Sequence, residues 1–245
     1  MVESDGLLVA SLAGLVAGGA MGLAARLGRF CMMGAVEDAV YGADLGRIRM
    51  VALAAAVAIA GTVLIGLGGL FEAADTVYAR TGWSPIGAVL GGLMFGYGMA
   101  AVGTCGFGAL ARAGGGDLRS LVMVMVIGLS AYAALNGPLA EARAWLHGIA
   151  PQPGEGLDRI AAGLSGLPPA IPALAAAAGL AAFALGWGGE GLARGKVAWG
   201  AVVGLAVPFG WAATTHASTL GFDVVAVESV TFSQPIGESL LAVML

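Results

Sequence analysis

Apolar residues in this chain come in long unbroken runs, with neither the alternation of a half-buried strand nor the one-sided stripe of a surface helix. Leu7–Ala25, Met50–Phe71, Pro85–Val102, Leu118–Leu135, Pro169–Trp187 and Val197–Ala213 are such runs, and a helix needs about 20 apolar residues to cross the hydrocarbon core of a bilayer. The pattern predicts six full transmembrane helices. A further apolar run begins near Ile236 and ends at Leu245. As a helix it would rise about 15 Å, roughly half the hydrocarbon thickness. It is either re-entrant or the end of a chain that stops early.

The polar positions between the runs sort by charge. The connections Arg26–Arg49, Arg112–Arg119 and Glu190–Lys196 alternate with the others and hold 8 of the 11 basic residues, while the other set holds 10 of the 15 acidic ones. The excess of Lys and Arg places the first set in the cytoplasm, and the N-terminus is then periplasmic, in a multi-pass protein of the inner membrane. Glu3 and Asp5 precede the first run where a signal peptide would carry positive charge, so this run is read as a retained helix. Asn136–Pro168 is rich in Pro and Gly and suits an external loop, with Glu141–Leu146 at the interface and Trp145 as its anchor. Glu37 and Asp38 are read as part of a solvated loop or a helix terminus.

Composition agrees with this reading. The chain of 245 residues is 59% hydrophobic and 11% charged, against about 25% charged in soluble domains, so its surface cannot be built for water. The net charge of −4 and the absence of a basic stripe argue against nucleic acid as a partner; the lipid bilayer is the expected one. His147 and His216 have no ligand-spaced neighbour, and no phosphate loop or Ser-His-Asp order is present, so no metal, cofactor or enzymatic activity is expected.

The chemistry that remains is that of two cysteines. Aligning Cys31 with Cys105, an offset of 74 residues, also superposes Gly18 on Gly92, Gly22 on Gly96, Gly34 on Gly108 and Ala35 on Ala109. The alignment predicts a parallel internal repeat, with copies over about 7–71 and 83–137, an external loop over about 138–168 and C-terminal spans over 169–245, all within a single transmembrane domain, 1–245. Gly96–Gly108 is far richer in Gly than an ordinary transmembrane helix, which lowers helix stability. It also permits a broken helix whose free N–H groups and positive end attract an anion in a protein-lined cavity. Arg29, Met32 and Met33 surround Cys31, a setting suited to a polarizable sulfur compound. Packing offers an alternative for every one of these residues. A Cys is often a small buried hydrophobe, Gly-x-x-x-Gly brings apolar helices together, and Arg26 and Arg29 serve equally as residues that snorkel to the headgroups.

At these positions the sequence resembles the YeeE/YedE sulfur-transport family, which includes thiosulfate permeases. The resemblance rests on Arg29-Phe30-Cys31 with Gly34, on Pro85-Ile86-Gly87 through Gly96-Tyr97-Gly98-Met99-Ala100 to Cys105, Gly108, Leu110, Arg112, Gly114 and Gly116, and on Gly210-Trp211 and Ser229–Gly237. It implies an all-α polytopic transmembrane helical bundle with broken or re-entrant Gly-rich segments, in which reduced cysteines line the path of thiosulfate or a related sulfur anion. It implies that Cys31 and Cys105 are substrate contacts. The family's usual Gly-Cys is Thr104-Cys105 here, and a third Gly-Cys segment expected after Pro235 is absent, which matches the short final run. A truncated chain or a separately encoded C-terminal part is therefore expected.

The resulting expectation is a permease taking up a small sulfur anion, thiosulfate first, with Cys31, Cys105, Arg29, Gly103, Thr104, Gly106 and Gly108 as its substrate-binding residues. A thiol in an apolar site tends to stay protonated, so S–H groups and backbone amides would meet the anion. A small cytoplasmic sulfur-relay protein and the separate C-terminal part are the further partners considered. Two rivals stand beside it: a membrane thiol–disulfide redox protein using Cys31 and Cys105 as a pair, and a non-transporting scaffold subunit.

Overall fold

The computed structural model describes residues 5–42, 44–70, 76, 85–148, 163, 166–186, 192–220, 227–232, 235–237 and 239. Among these residues the fold is all-α, without strands. The helices are α1 (Asp5–Arg26), α2 (Met32–Tyr41), α3 (Gly46–Leu67), α4 (Pro85–Val102), α5 (Gly106–Gly114), α6 (Leu118–Leu135), α7 (Ala140–Gly148), α8 (Ala170–Gly186) and α9 (Arg194–Thr219). Each of the six expected spans holds a helix among the described residues. Five helices are long and apolar enough to cross a membrane, α4 running on with α5 as one apolar stretch of 29 residues. The sixth, α8, has 17 residues and a rise of about 25 Å, a little short of the hydrocarbon thickness. This is a multi-pass membrane protein.

The chain forms two compact units. In the first, α3 packs against α8 and α9, α9 also lies on α1, and α2 rests on α3. Without a hydrophobic drive between helices in lipid, association depends on close van der Waals packing, and small residues permit it. The seam between α3 and α9 follows that rule. A Cβ on Gly200 would lie 3.0 Å from the Met50 carbonyl oxygen, and one on Gly204 would lie 2.6 Å from that of Ala54. One turn further, a Cβ on Gly61 of α3 would meet the Pro208 ring at 2.7 Å. Pro208 is buried inside α9, where its ring fills the hollow that Gly61 leaves. Ala24, Ala54 and Val203 form the adjoining core, with Met21, Phe30 and Trp199 packed on it.

The first turn of α3 corrects the charge reading. Arg47 and Arg49 lie inside the helix, not in a solvated connection, and Arg49 is buried, its Nε donating to the Ala184 carbonyl at 2.9 Å. Arg49 therefore ties α3 to the C-terminal end of α8, whose carbonyls carry the negative end of the helix dipole.

In the second unit α5 packs on α6, and α6 and α4 both touch α7. Asp117 caps α6, one carboxylate oxygen accepting from the Arg119 N–H at 3.0 Å and the other from the Ser120 hydroxyl at 2.7 Å. These bonds, the hydroxyl's first, hold the Asp117 carboxyl below the usual carboxylate range. The α7 helix includes the expected interfacial segment, and Trp145 is exposed on it. About half of the expected external loop, and all but a few residues after Phe232, lie outside the described residues.

Candidate functional site

Both cysteines stand at helix breaks. The long helix α1 ends at Arg26, the backbone turns through Arg29, and Cys31 is the N-cap of the short helix α2. The long helix α4 ends at Val102, the backbone turns through Gly103, and Cys105 is the N-cap of the short helix α5. The details recur at the same 74-residue spacing. Ala35 N–H donates to the Cys31 carbonyl at 3.0 Å, and Ala109 N–H to the Cys105 carbonyl at 2.9 Å. Ala35 and Ala109 are both fully buried. Arg29 has φ 52° and Gly103 has φ 73°, and among the described residues Arg29 alone has a positive φ without being glycine. A left-handed φ is costly for any residue with a Cβ, so the two breaks share a backbone rather than a side-chain pattern.

The two thiols differ in their surroundings. Cys105 is buried, and its Sγ accepts the Gly108 N–H at 3.4 Å, closing the first turn of α5. Thr104 is also buried, its hydroxyl donating to the Cys105 carbonyl at 3.3 Å. Apolar groups cover this turn. The Phe107 and Phe232 rings are 6.2 Å apart, and Phe232 and Ile127 lie within 4 Å of the point where a Gly106 Cβ would stand. Cys31 is half-buried and makes no capping bond to α2. Neither cysteine is in a disulfide.

The expected site residues fall into these two places. Arg29 and Cys31 belong to the first break. Gly103, Thr104, Cys105, Gly106 and Gly108 belong to the second. Phe30 anchors the first by packing on the core of its unit, and its N–H reaches back to the Ala24 carbonyl at 3.1 Å. The Arg29 side chain is exposed.

A residue not singled out in the sequence adjoins Cys31. Arg47, from the first turn of α3, forms an ion pair with Asp38 of α2, Nε to Oδ2 at 3.0 Å. Its Nη1 lies 2.6 Å from the point where a Gly34 Cβ would stand, and the Cys31 Cβ lies 3.8 Å from that same point. No linear motif announces this contact, which depends on α2 folding back along α3.

Described residues of the two late stretches that carried the family resemblance make specific contacts. Ser229 donates to the Val207 carbonyl at 2.9 Å, Thr214 donates to the Glu228 carbonyl at 2.8 Å, and Gly210 lets the Ser229-Val230 backbone lie close against α9. In the second unit Ile236 fits over Gly128 of α6.

A first helical turn leaves its N–H groups unused by the helix ladder and carries the positive end of the helix dipole. Each break therefore sets a thiol beside groups that favour negative charge. Among the described residues no three His, Cys, Asp or Glu side chains come together to hold a metal.

Comparison with known proteins points the same way. A family model described as sulphur transport matches residues 27–243, which takes in both breaks and the late anchored stretches. The chain is also 32% identical over 111 residues to the thiosulfate transporter TsuA of Escherichia coli strain K12. That alignment covers 45% of the chain and 30% of the relative's length.

Proposed function

The chain belongs to the sulphur transport family, and we propose that it carries a small sulfur-containing anion, thiosulfate first, from the periplasm across the inner membrane. The observation that supports this most directly is the duplicated break, a long apolar helix, a left-handed residue, and a cysteine capping a short helix. Such interrupted helices are how membrane proteins bring backbone N–H groups and a positive dipole end to an anionic substrate within the bilayer. In this reading the two copies are a parallel repeat, and Cys31 in one unit and Cys105 in the other are each by itself a contact for the substrate's sulfur. Backbone amides near Thr104 and Gly106 meet its charge, those of Gly103 and Gly108 being taken by the Met99 carbonyl and the Cys105 sulfur, and Arg29 draws it to the break. The similarity to a thiosulfate transporter supports thiosulfate ahead of sulfite or sulfide. Binding is weak by design, because a conducting site must also release.

Growth tests the reading. A strain lacking its own sulfur uptake, supplied with thiosulfate alone, is expected to grow when it expresses this chain. It should fail with Cys31→Ala or Cys105→Ala present at equal membrane abundance. Equal growth with wild type and both variants would overturn the assignment of the thiols, and rescue on sulfide but not thiosulfate would overturn the substrate.

A further inference from the structure

Resting on the reading of Cys31 as a substrate contact, we propose that Arg47 makes the first thiol selective for anions and that Asp38 steers its guanidinium. Arg47 Nε is committed to Asp38, while Nη1 lies over the first turn of α2, in the place a side chain at Gly34 would fill. Asp38 stands seven residues beyond Cys31, about 10 Å along the helix, whereas Nη1 and the Cys31 Cβ share the neighbourhood of Gly34. The ion pair is thus a dipole with its positive end toward the thiol, in the same sense as the dipole of α2.

The second break has no such device. At the 74-residue spacing, Gly34, Asp38 and Arg47 correspond to Gly108, Arg112 and Leu121. There the Gly108 N–H is taken by the cysteine sulfur itself. One copy sets a guanidinium beside its thiol, and the other folds its thiol into an apolar turn. The two cysteines therefore divide the work: Cys31 discriminates by charge and Cys105 does not.

Two methanethiosulfonate reagents of opposite charge, the ethylsulfonate and the ethyltrimethylammonium, test this on the intact wild-type chain. Each thiolate attacks the reagent's sulfenyl sulfur, forms a mixed disulfide and releases methanesulfinate. Peptide mass spectrometry then gives the rate at each cysteine separately. The ratio of anionic to cationic rates cancels the thiol's own reactivity and reads only the local charge. Arg47→Gln is expected to lower that ratio at Cys31 about tenfold, as a unit charge a few ångströms away would at intermediate dielectric, and Arg47→Lys should restore most of it. Gly34→Ala, whose Cβ displaces Nη1 without changing any charge, should lower it too. Asp38→Asn, which releases the guanidinium from its steering partner, should lower it as well, and Asp38→Glu, which keeps the carboxylate, should restore most of it. The ratio at Cys105 should stay constant throughout. A Cys31 ratio that ignores Arg47→Gln, or one that moves equally at Cys105, overturns the inference whatever uptake does. If the ratio responds but thiosulfate uptake survives Cys31→Ala, the charge effect stands and the transport role of Cys31 falls.

Discussion

Replacing Gly204 by Ala adds one carbon to the seam between α9 and α3. The new Cβ would stand 2.6 Å from the Ala54 carbonyl oxygen and 2.7 Å from the Val57 Cβ. Neither is the end of a flexible side chain, so the helices themselves must part. Overpacking of this kind costs about 1–3 kcal/mol, and the better helix propensity of Ala offsets about 1 kcal/mol of it. Because both contacts are with rigid groups the upper end of that range applies, and a net loss of about 2 kcal/mol corresponds to a fall in Tm of about 4–8 °C for a chain of this length. The same substitution at Gly18 of α1 or Gly92 of α4 meets nothing within 4 Å. There the propensity gain stands alone, and Tm should rise by about 2–4 °C. Thermal scans of the detergent-solubilised protein, followed by the fluorescence of its five tryptophans, measure both changes. The contrast in sign carries the reasoning. A Gly204→Ala protein as stable as wild type would refute the close α3–α9 packing, and an equal loss at Gly18 and Gly92 would refute the claim that their faces are open.

Three further outcomes follow from the breaks and the caps. Gly103→Ala should lower Tm by about 2–8 °C, because the site is sterically open but left-handed, and such a φ costs a residue with a Cβ about 1–2 kcal/mol; Arg29→Gly, relieving the same constraint, should not lower it, and thermal scans read both. Cys105→Ser keeps a side-chain acceptor at the N-cap of α5, so Tm should hold while thiosulfate-dependent growth falls; growth equal to wild type would reduce Cys105 to a cap. The Asp117 carboxyl is held below its ordinary value by Ser120 and Arg119, so its contribution is present above the unfolded pKa of about 3.9 and is lost as pH falls through the lower folded value. Wild type should therefore lose more Tm than Asp117→Asn on acidification below about pH 4.

The spans were legible because a bilayer leaves the sequence little choice: long apolar runs must be helices there. Pro85–Val102 and Leu118–Leu135 match the observed bounds. The run expected from Met50 begins instead at Gly46, because Arg47 and Arg49 looked like residues of a solvated connection. Arg49 is paired with a carbonyl and Arg47 with a carboxylate, and a charge with such a partner no longer ends a helix. Likewise the run expected to end at Ala213 continues to Thr219. The hydroxyls of Ser218 and Thr219 bond back to carbonyls within the helix and that of Thr214 reaches the Glu228 carbonyl, so these three polar residues need not end it. The spacing of the cysteines showed where the breaks lie. It could not show that one thiol caps its helix and the other stands beside Arg47, because both facts depend on which side chains the fold turns toward the break.

The paired left-handed residues, Arg29 and Gly103, bear on how such a protein changes over time. Under the proposed repeat, a dihedral angle is kept while the residue that adopts it is exchanged, so shape is preserved without preserving letters. At 103 drift is confined, since any residue but Gly adds strain. At 29 that strain is already present, and the side chain can vary at little additional structural cost. Backbone strain alone therefore leaves position 29 freer than position 103, and comparing backbone conformation tests the proposed repeat where residue identity has faded.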